Sequence, residues 1–288
     1  MGDQPELSSI SVEDFLQEWQ TRLSATGQHQ ATADRLINLY RKLGLLPGDR
    51  DEALFECCPH KDECWRHARP ANDQRNSGIS IPWIGRRFFD SRVVILGINF
   101  DNFGGLAGHY HVCKSHIEAM EAGKRGKDGR PFSRGAMQYL RLVLASLNGD
   151  DLPMDSTSVT NEELAVLWEE CAYLQRIKCA PGGDRSKPTD AMTWNCPPFL
   201  AMAELTVLEP RVILHLGRTD LRREWIVQEG GYGEEQGKHM ERDTATVGDS
   251  AVELISLNHP STSRLENITA SLDQLVASLR ARPIGTES

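Results

Sequence analysis

Hydrophobic residues recur along this chain in two rhythms. Over the first fifty residues the spacing is helical. Phe15, Trp19 and Leu23 fall on one face at i, i+4 and i+8, and Ser11 with Asp14 forms a capping pair ahead of them. A second amphipathic stretch, residues 31–43, stops at Gly44 and then meets Pro47, as helix ends do. These helices read as a scaffold or a partner face, and they set residues 1–50 apart as an N-terminal helical extension.

Beyond residue 50, short apolar runs alternate with amphipathic stretches. Residues 92–96 (RVVIL) run straight into Gly97, and residues 211–216 (RVILHL) run into Gly217 in the same way. A third run, 251–257, reaches the polar pair Asn258 and His259, and a weaker one covers 174–178. Helical patterns lie between them at about 133–147, 161–172, 198–208 and 265–280. Strands alternating with helices predict an α/β domain over residues 51–288. The expected architecture is a three-layer sandwich around a central, mainly parallel four-stranded sheet, with ligands at the carboxyl ends of the strands. Residues 101–130 and 229–249 are too long for simple connectors and read as functional loops.

Composition narrows the class further. At 288 residues the chain holds one large domain or two small ones, and 39% hydrophobic with 25% charged residues argues against extended disorder. No apolar run approaches the ~20 residues that span a bilayer. The start, MGDQPELSSISVEDF, has neither the basic end nor the apolar centre of a secretory signal, so a cytoplasmic location is expected. The seven cysteines then read as reduced thiols or metal ligands. A net charge of -9 argues against indiscriminate coating of nucleic acid. It leaves room for a local basic track, for which Lys124, Arg125, Lys127 and Arg130 are the available run.

The cysteines fall into groups. Cys57 and Cys58 lie near Cys64, while Cys179 and Cys196 bracket the Pro/Gly-rich loop APGGDRSKPTDAMTWN. Four thiolates drawn from two separated loops suit zinc or an iron–sulfur cluster, with free thiols as the alternative. The spacing is not that of a zinc ribbon. Cys113 and Cys171 fall in expected helices and read as small buried hydrophobes.

Residues 173–217, YLQRIKCAPGGDRSKPTDAMTWNCPPFLAMAELTVLEPRVILHLG, set out a strand, a cysteine, a Pro- and Arg-containing loop, a second cysteine, a helix and a strand ending in Leu-Gly. VVILGINF (93–100), GRPFSRGAMQYLRLVL from Gly129 and LNHPSTS (257–263) accompany it. In this order and spacing the motifs resemble the uracil-DNA glycosylase superfamily, most closely its branch with a [4Fe-4S] cluster. The resemblance runs over about residues 56–279 and leaves the N-terminal helices outside.

The resemblance implies a DNA glycosylase that flips a nucleotide out of the stack, hydrolyses its N-glycosidic bond and leaves an abasic site. It implies His259 as the donor that stabilises charge on the departing base. Asn99 matches the water-orienting position, with Asp101 as a nearby carboxylate able to hold the water instead. Phe132 would lie against the flipped base and Gln175 would read its edge. Ser261, Arg264 and Leu265 would meet DNA, Leu265 at the wedge position. Cys58, Cys64, Cys179 and Cys196 would hold the cluster, with Cys57 able to replace Cys58. Each residue also has a plainer reading: a strand-end histidine bonded to backbone, a polar turn Asn, a core Phe at a helix entry, a core Leu opening the last helix.

Departures from the pattern bear on the substrate. Gln175 stands where uracil-acting members carry Asn, four residues before Cys179; it keeps the amide but carries it one methylene further. The first motif reads GINFDNFGG, and Cys58 and Cys64 are further apart than the family's Cys-x-x-Cys. The expected substrate is therefore uracil or a modified, bulky pyrimidine, including a hypermodified base of invading phage DNA. The expected role is base excision in DNA repair or antiviral defence, by a monomer with DNA as partner and no membrane. Two other readings are a catalytically inactive nucleic-acid-binding iron–sulfur protein of the same fold and a zinc-stabilised α/β protein unrelated to DNA.

Overall fold

The computed structural model describes residues 17, 20–21, 27–43, 58–65, 82–99, 131–153, 159–178, 188–217, 225–226, 235–236, 239–260 and 265–285. The chain is α/β. Among the described residues its sheet has seven strands: β1 (Trp83–Ile84), β2 (Val93–Asn99), β3 (Cys171–Ile177), β4 (Val212–Leu216), β5 (Glu235–Gln236), β6 (Met240–Val247) and β7 (Ser250–Leu257), in the order β1-β3-β2-β4-β7-β6-β5. The four strands expected from sequence are its centre, β3-β2-β4-β7, with β2 parallel to β4 and β4 parallel to β7. The expectation of four strands is corrected: β1 pairs antiparallel with β3, and β6 and β5 extend the other edge antiparallel.

The helices are α1 (Gly27–Lys42), α2 (Lys61–Trp65), α3 (Phe88–Ser91), α4 (Pro131–Asn148), α5 (Asn161–Glu169), α6 (Asp190–Cys196), α7 (Met202–Leu208) and α8 (Leu265–Ala281), with a π turn at Pro197–Ala201. Among the described residues no helix is long and apolar enough to cross a membrane. The chain forms two compact units. One holds residues 1–82, 99–111 and 175–207; the other holds 83–98, 112–174 and 208–288.

In the second unit, β2, β4 and β7 bury Val93, Val94, Ile95, Leu96, Val212, Ile213, Leu214, Leu254 and Ile255. Near-continuous apolar runs of this kind belong to parallel strands covered on both faces. α4 packs against α5 and α8, contributing Met137, Leu140 and Val143, while α8 contributes Leu272, Leu275 and Leu279. α5 opens with a full capping box: Thr160 accepts from the Glu163 N–H, and the Glu163 carboxylate accepts from the Thr160 N–H. It ends earlier than its apolar period implies. The Gly85 and Arg87 N–H groups bind the carbonyls of Cys171 and Glu169, which draws that backbone into the sheet. Cys171 is accordingly buried at the start of β3 and not in a helix, and the expected strand at 174–178 begins three residues sooner.

Residues 240–249, assigned to a long loop from sequence, are instead β6 and the turn into β7. Val247 pairs with Ser250 across Gly248-Asp249, and Gly248 takes φ 58°, the first-position glycine that a type II′ turn uses. Polar residues concealed this strand. Arg242 is buried within it, ion-paired to Glu253 and donating to the carbonyls of Ser278 and Arg282 on the α8 side.

In the first unit, α1 presents Ala33, Leu36, Ile37 and Tyr40 as one buried stripe, the i, i+3, i+4, i+7 spacing of a helix against a core. The Pro/Gly-rich loop before Cys196 turns helical at its end, because Thr189 caps α6 by accepting from the Met192 N–H at 3.2 Å.

Candidate functional site

The carboxyl ends of β2, β4 and β7 lie level. Leu96 pairs with His215, His215 with Ser256, and Leu216 with Leu257. β4 closes on Gly217, whose φ of 109° only glycine adopts freely and whose N–H donates to the Leu257 carbonyl at 2.9 Å. This is the end of a parallel sheet at which α/β proteins bind ligands. His259 stands two residues beyond β7, half-exposed, and Pro260 after it is buried.

α4 lies directly against this turn. A Cβ built on Gly135 would sit 2.5 Å from the Pro260 Cβ and 3.0 Å from its Cγ, so the helix approaches the proline as closely as backbone permits. One turn on, the Tyr139 hydroxyl donates to the Asn258 carbonyl at 3.4 Å. Two segments far apart in sequence, the one carrying Phe132 and the one carrying His259, thus meet through Gly135 and Pro260. Phe132 is on α4 one turn ahead of Gly135, and its side chain lies outside the described residues.

The other expected residues are placed as follows. Asn99 is the last residue of β2, its side chain outside the described set. Gln175 is buried in β3. Leu265 opens α8 and is 79% exposed, so it is not a core residue of that helix. Asp101, Ser261, Arg264, Cys57, Cys113, Cys179 and the Lys124–Arg130 basic run lie outside the described residues. A cavity of about 450 Å3 opens at the opposite, amino ends of β2, β4 and β7, lined by Arg92, Glu209, Arg211 and Glu253. None of the expected site residues lines it.

Cys58, Cys64 and Cys196 are brought into one region of the first unit. α2, carrying Cys64, packs on α6, which ends at Cys196. Cys64 forms a small core with Ile177 and Met192, against which Cys196 packs. The Thr189 hydroxyl donates to the Cys64 carbonyl at 2.9 Å, and Asn195 Nδ2 donates to the Glu63 carboxylate at 3.1 Å. The Lys178 N–H points at Cys196 Sγ, 3.2 Å away. Burial pushes all three thiols up, Cys196 to about 12, and negative charge on Cys58 raises both of the others. Three cysteines in one region are the donor type that zinc or an iron–sulfur cluster takes, and without a metal such thiols stay neutral. Among the described residues no three His, Cys, Asp or Glu side chains are already arranged around a metal position, and Cys179 lies outside that set.

Behind Cys196 is a buried polar triad that sequence reasoning missed. Lys178 forms an ion pair with Glu204 on α7, and Tyr40 of α1 donates to the same carboxylate at 2.6 Å. All three side chains are buried. Burial raises the Glu204 carboxyl and Lys178 opposes the rise; the Tyr40 hydroxyl is held well above its ordinary value by burial and by Glu204. The signal for Gly135 was present in the sequence, since a glycine inside a helical pattern marks close approach. The triad gave no such signal, because nothing local pairs Tyr40 with a residue 164 positions away. No family model matches this chain, and no curated protein matches it either.

Proposed function

We propose that this protein is a cytoplasmic, monomeric iron–sulfur DNA glycosylase with the three-layer fold of the uracil-DNA glycosylase superfamily. Its substrate is a pyrimidine, either uracil or a modified, bulky base such as those of phage DNA, and its role is base excision in repair or antiviral defence. The observation that carries this reading is the meeting of α4 and the His259–Pro260 turn beside the level carboxyl ends of β2, β4 and β7. That meeting sets the segment assigned to stacking the flipped base against the segment assigned to receiving its charge. The exposed Leu265 supports a wedge entering the duplex where the base is extruded.

In the reaction, water oxygen bonds to the sugar C1′ as the N-glycosidic bond breaks, the base departs as an anion with the bonding electron pair, and the proton the water sheds passes to the Asp101 carboxylate or to solvent. His259 donates a hydrogen bond to the oxygen on which that charge gathers. Asn99 or Asp101 holds the attacking water, Phe132 stacks on the base and Gln175 pairs with its edge, while Ser261 and Arg264 contact the backbone. Cys58, Cys64 and Cys196, with Cys179, would hold a [4Fe-4S] cluster, which supplies a structural pin between two loops.

The test is to incubate the purified protein with duplexes containing uracil, hypoxanthine or bulky 5-substituted cytosines and assay for abasic sites. His259→Ala is expected to slow single-turnover excision by about 10²–10³, as for one preorganised donor, with DNA affinity nearly unchanged. No abasic site in any duplex, or full activity in His259→Ala, overturns the reading.

A further inference from the structure

We propose that Asn258 is a positioning residue for His259, holding the histidine between two anchored neighbours. The inference rests on the glycosylase reading for its kinetic readout alone.

The Asn258 side chain is buried, and its Nδ2 faces three groups: Ser271 Oγ at 2.9 Å, the Asn267 carbonyl at 3.2 Å and His239 Nδ1 at 3.3 Å. The amide orientation is fixed by chemistry. A carbonyl oxygen only accepts, so a flipped amide would set oxygen against oxygen at Asn267. The Ser271 hydroxyl has a single proton, and both the Asn267 and His239 carbonyls lie 2.9 Å away to take it, so it turns a lone pair to Asn258. His239 Nδ1 then accepts too, which puts the ring proton of neutral His239 on Nε2. Two amide hydrogens are thereby shared among three acceptors.

The acceptors are held in their turn. Asn267 and Ser271 are successive turns of α8, and the His239 N–H donates to Gln274 Oε1 one turn further at 3.0 Å. The Asn258 carbonyl is taken by Tyr139 of α4, and Pro260 is seated on Gly135 of the same helix. Residue 258 is therefore tied to α8 by its side chain and to α4 by its backbone, and residue 260 to α4 by its ring. His259 between them inherits a fixed backbone direction. An apolar residue at 258 would fill the same space, but it would leave the ends of two turns of α8 and His239 without the donor that registers them to the strand end.

The experiment uses the full chain with Asn258→Leu, which deletes both amide hydrogens at similar volume, and Ser271→Ala, which deletes one acceptor. Single-turnover excision is expected to fall about 10- to 100-fold in Asn258→Leu, the scale of an ångström of misplacement, with duplex affinity within about twofold. In parallel, the ring resonance of His259, assigned by its absence in His259→Gln, is followed by NMR without DNA. It is expected to shift in Asn258→Leu and to shift less in Ser271→Ala. An unmoved His259 resonance in a folded variant overturns the proposal, and so does lost thermal stability with that resonance unmoved, which is the signature of a purely structural role. If Asn258→Leu does not fold, Ser271→Ala decides by the same resonance. A wild-type protein that excises no base sinks the glycosylase reading, while the resonance still decides the positioning.

Discussion

Replacing Gly135 by alanine inserts a single methyl between α4 and the turn that carries His259. That methyl would start 2.5 Å from the Pro260 Cβ, whereas ordinary van der Waals contact begins near 3.4 Å, so about 1 Å of separation must be found. The listener on the other side is a proline ring fused to backbone, not the swinging end of a long side chain, so the displacement falls on the His259–Pro260 turn. Two stability terms oppose each other. Alanine gains roughly 1 kcal/mol over glycine in a helix interior, and overpacking costs roughly 1–3 kcal/mol. The net loss is thus about 0–2 kcal/mol, small enough to leave the protein folded. The rate is more sensitive, because an ångström of misplacement at a reacting group costs about 10²-fold. The assay pairs urea denaturation with single-turnover excision on the best duplex substrate. A Gly135→Ala protein that is more stable than wild type and equally fast would show that helix propensity alone acts at this position, and the close-contact argument would fail.

The remaining expectations concern other parts of the molecule. Tyr40→Phe should cost about 1–3 kcal/mol, the loss of a hydrogen bond to a charged group, and Lys178→Met about 3–5 kcal/mol, because it leaves a buried carboxylate uncompensated; urea melts measure both, and an equal small effect of the two would refute the triad. Tyr139 is pushed up to about 12 by burial, from an ordinary value of 10.0. The unfolded chain therefore loses that proton first, and this contribution is complete below pH 10 and is lost as pH rises toward 12; Tyr139→Phe should flatten that part of the alkaline denaturation profile. If the proposed cluster is present, Cys196→Ser should abolish the visible absorbance of anaerobically purified protein and lower its melting temperature, whereas Cys171→Ser, at the buried start of β3, should keep the colour.

The parts of the fold that sequence revealed are those whose chemistry is local. RVVIL, RVILHL and the run at 251–257 are apolar because both faces of their strands are covered, and each ends at a residue that must turn, so β2, β4 and β7 were legible. β3 was only half legible because Cys171 and Ala172 continue the apolar period of α5, and β6 was hidden because Arg242 finds its partners on β7 and α8. α6 was read as loop because Pro and Gly dominate the approach to it, although Thr189 supplies the cap that starts a helix. In the candidate site, His259 and the cysteines announce themselves by residue type. Asn258 and the Tyr40–Glu204–Lys178 triad act through neighbours distant in sequence, which no spacing records.

The path of the chain through the two compact units has a consequence for synthesis. It passes between them at residues 82/83, 98/99, 111/112, 174/175 and 207/208, so neither unit is a continuous piece of polypeptide. α1 emerges from the ribosome early, yet the carboxylate that receives its Tyr40 hydroxyl is 164 residues downstream. Each unit is therefore completed only when segments from late in the chain have been made, which does not favour co-translational folding by successive domains. A nascent chain halted before Glu204 would leave the Tyr40 hydroxyl without that acceptor. For the same reason a chain begun at residue 51 would lack the Tyr40 hydroxyl that donates to the buried Glu204 carboxylate.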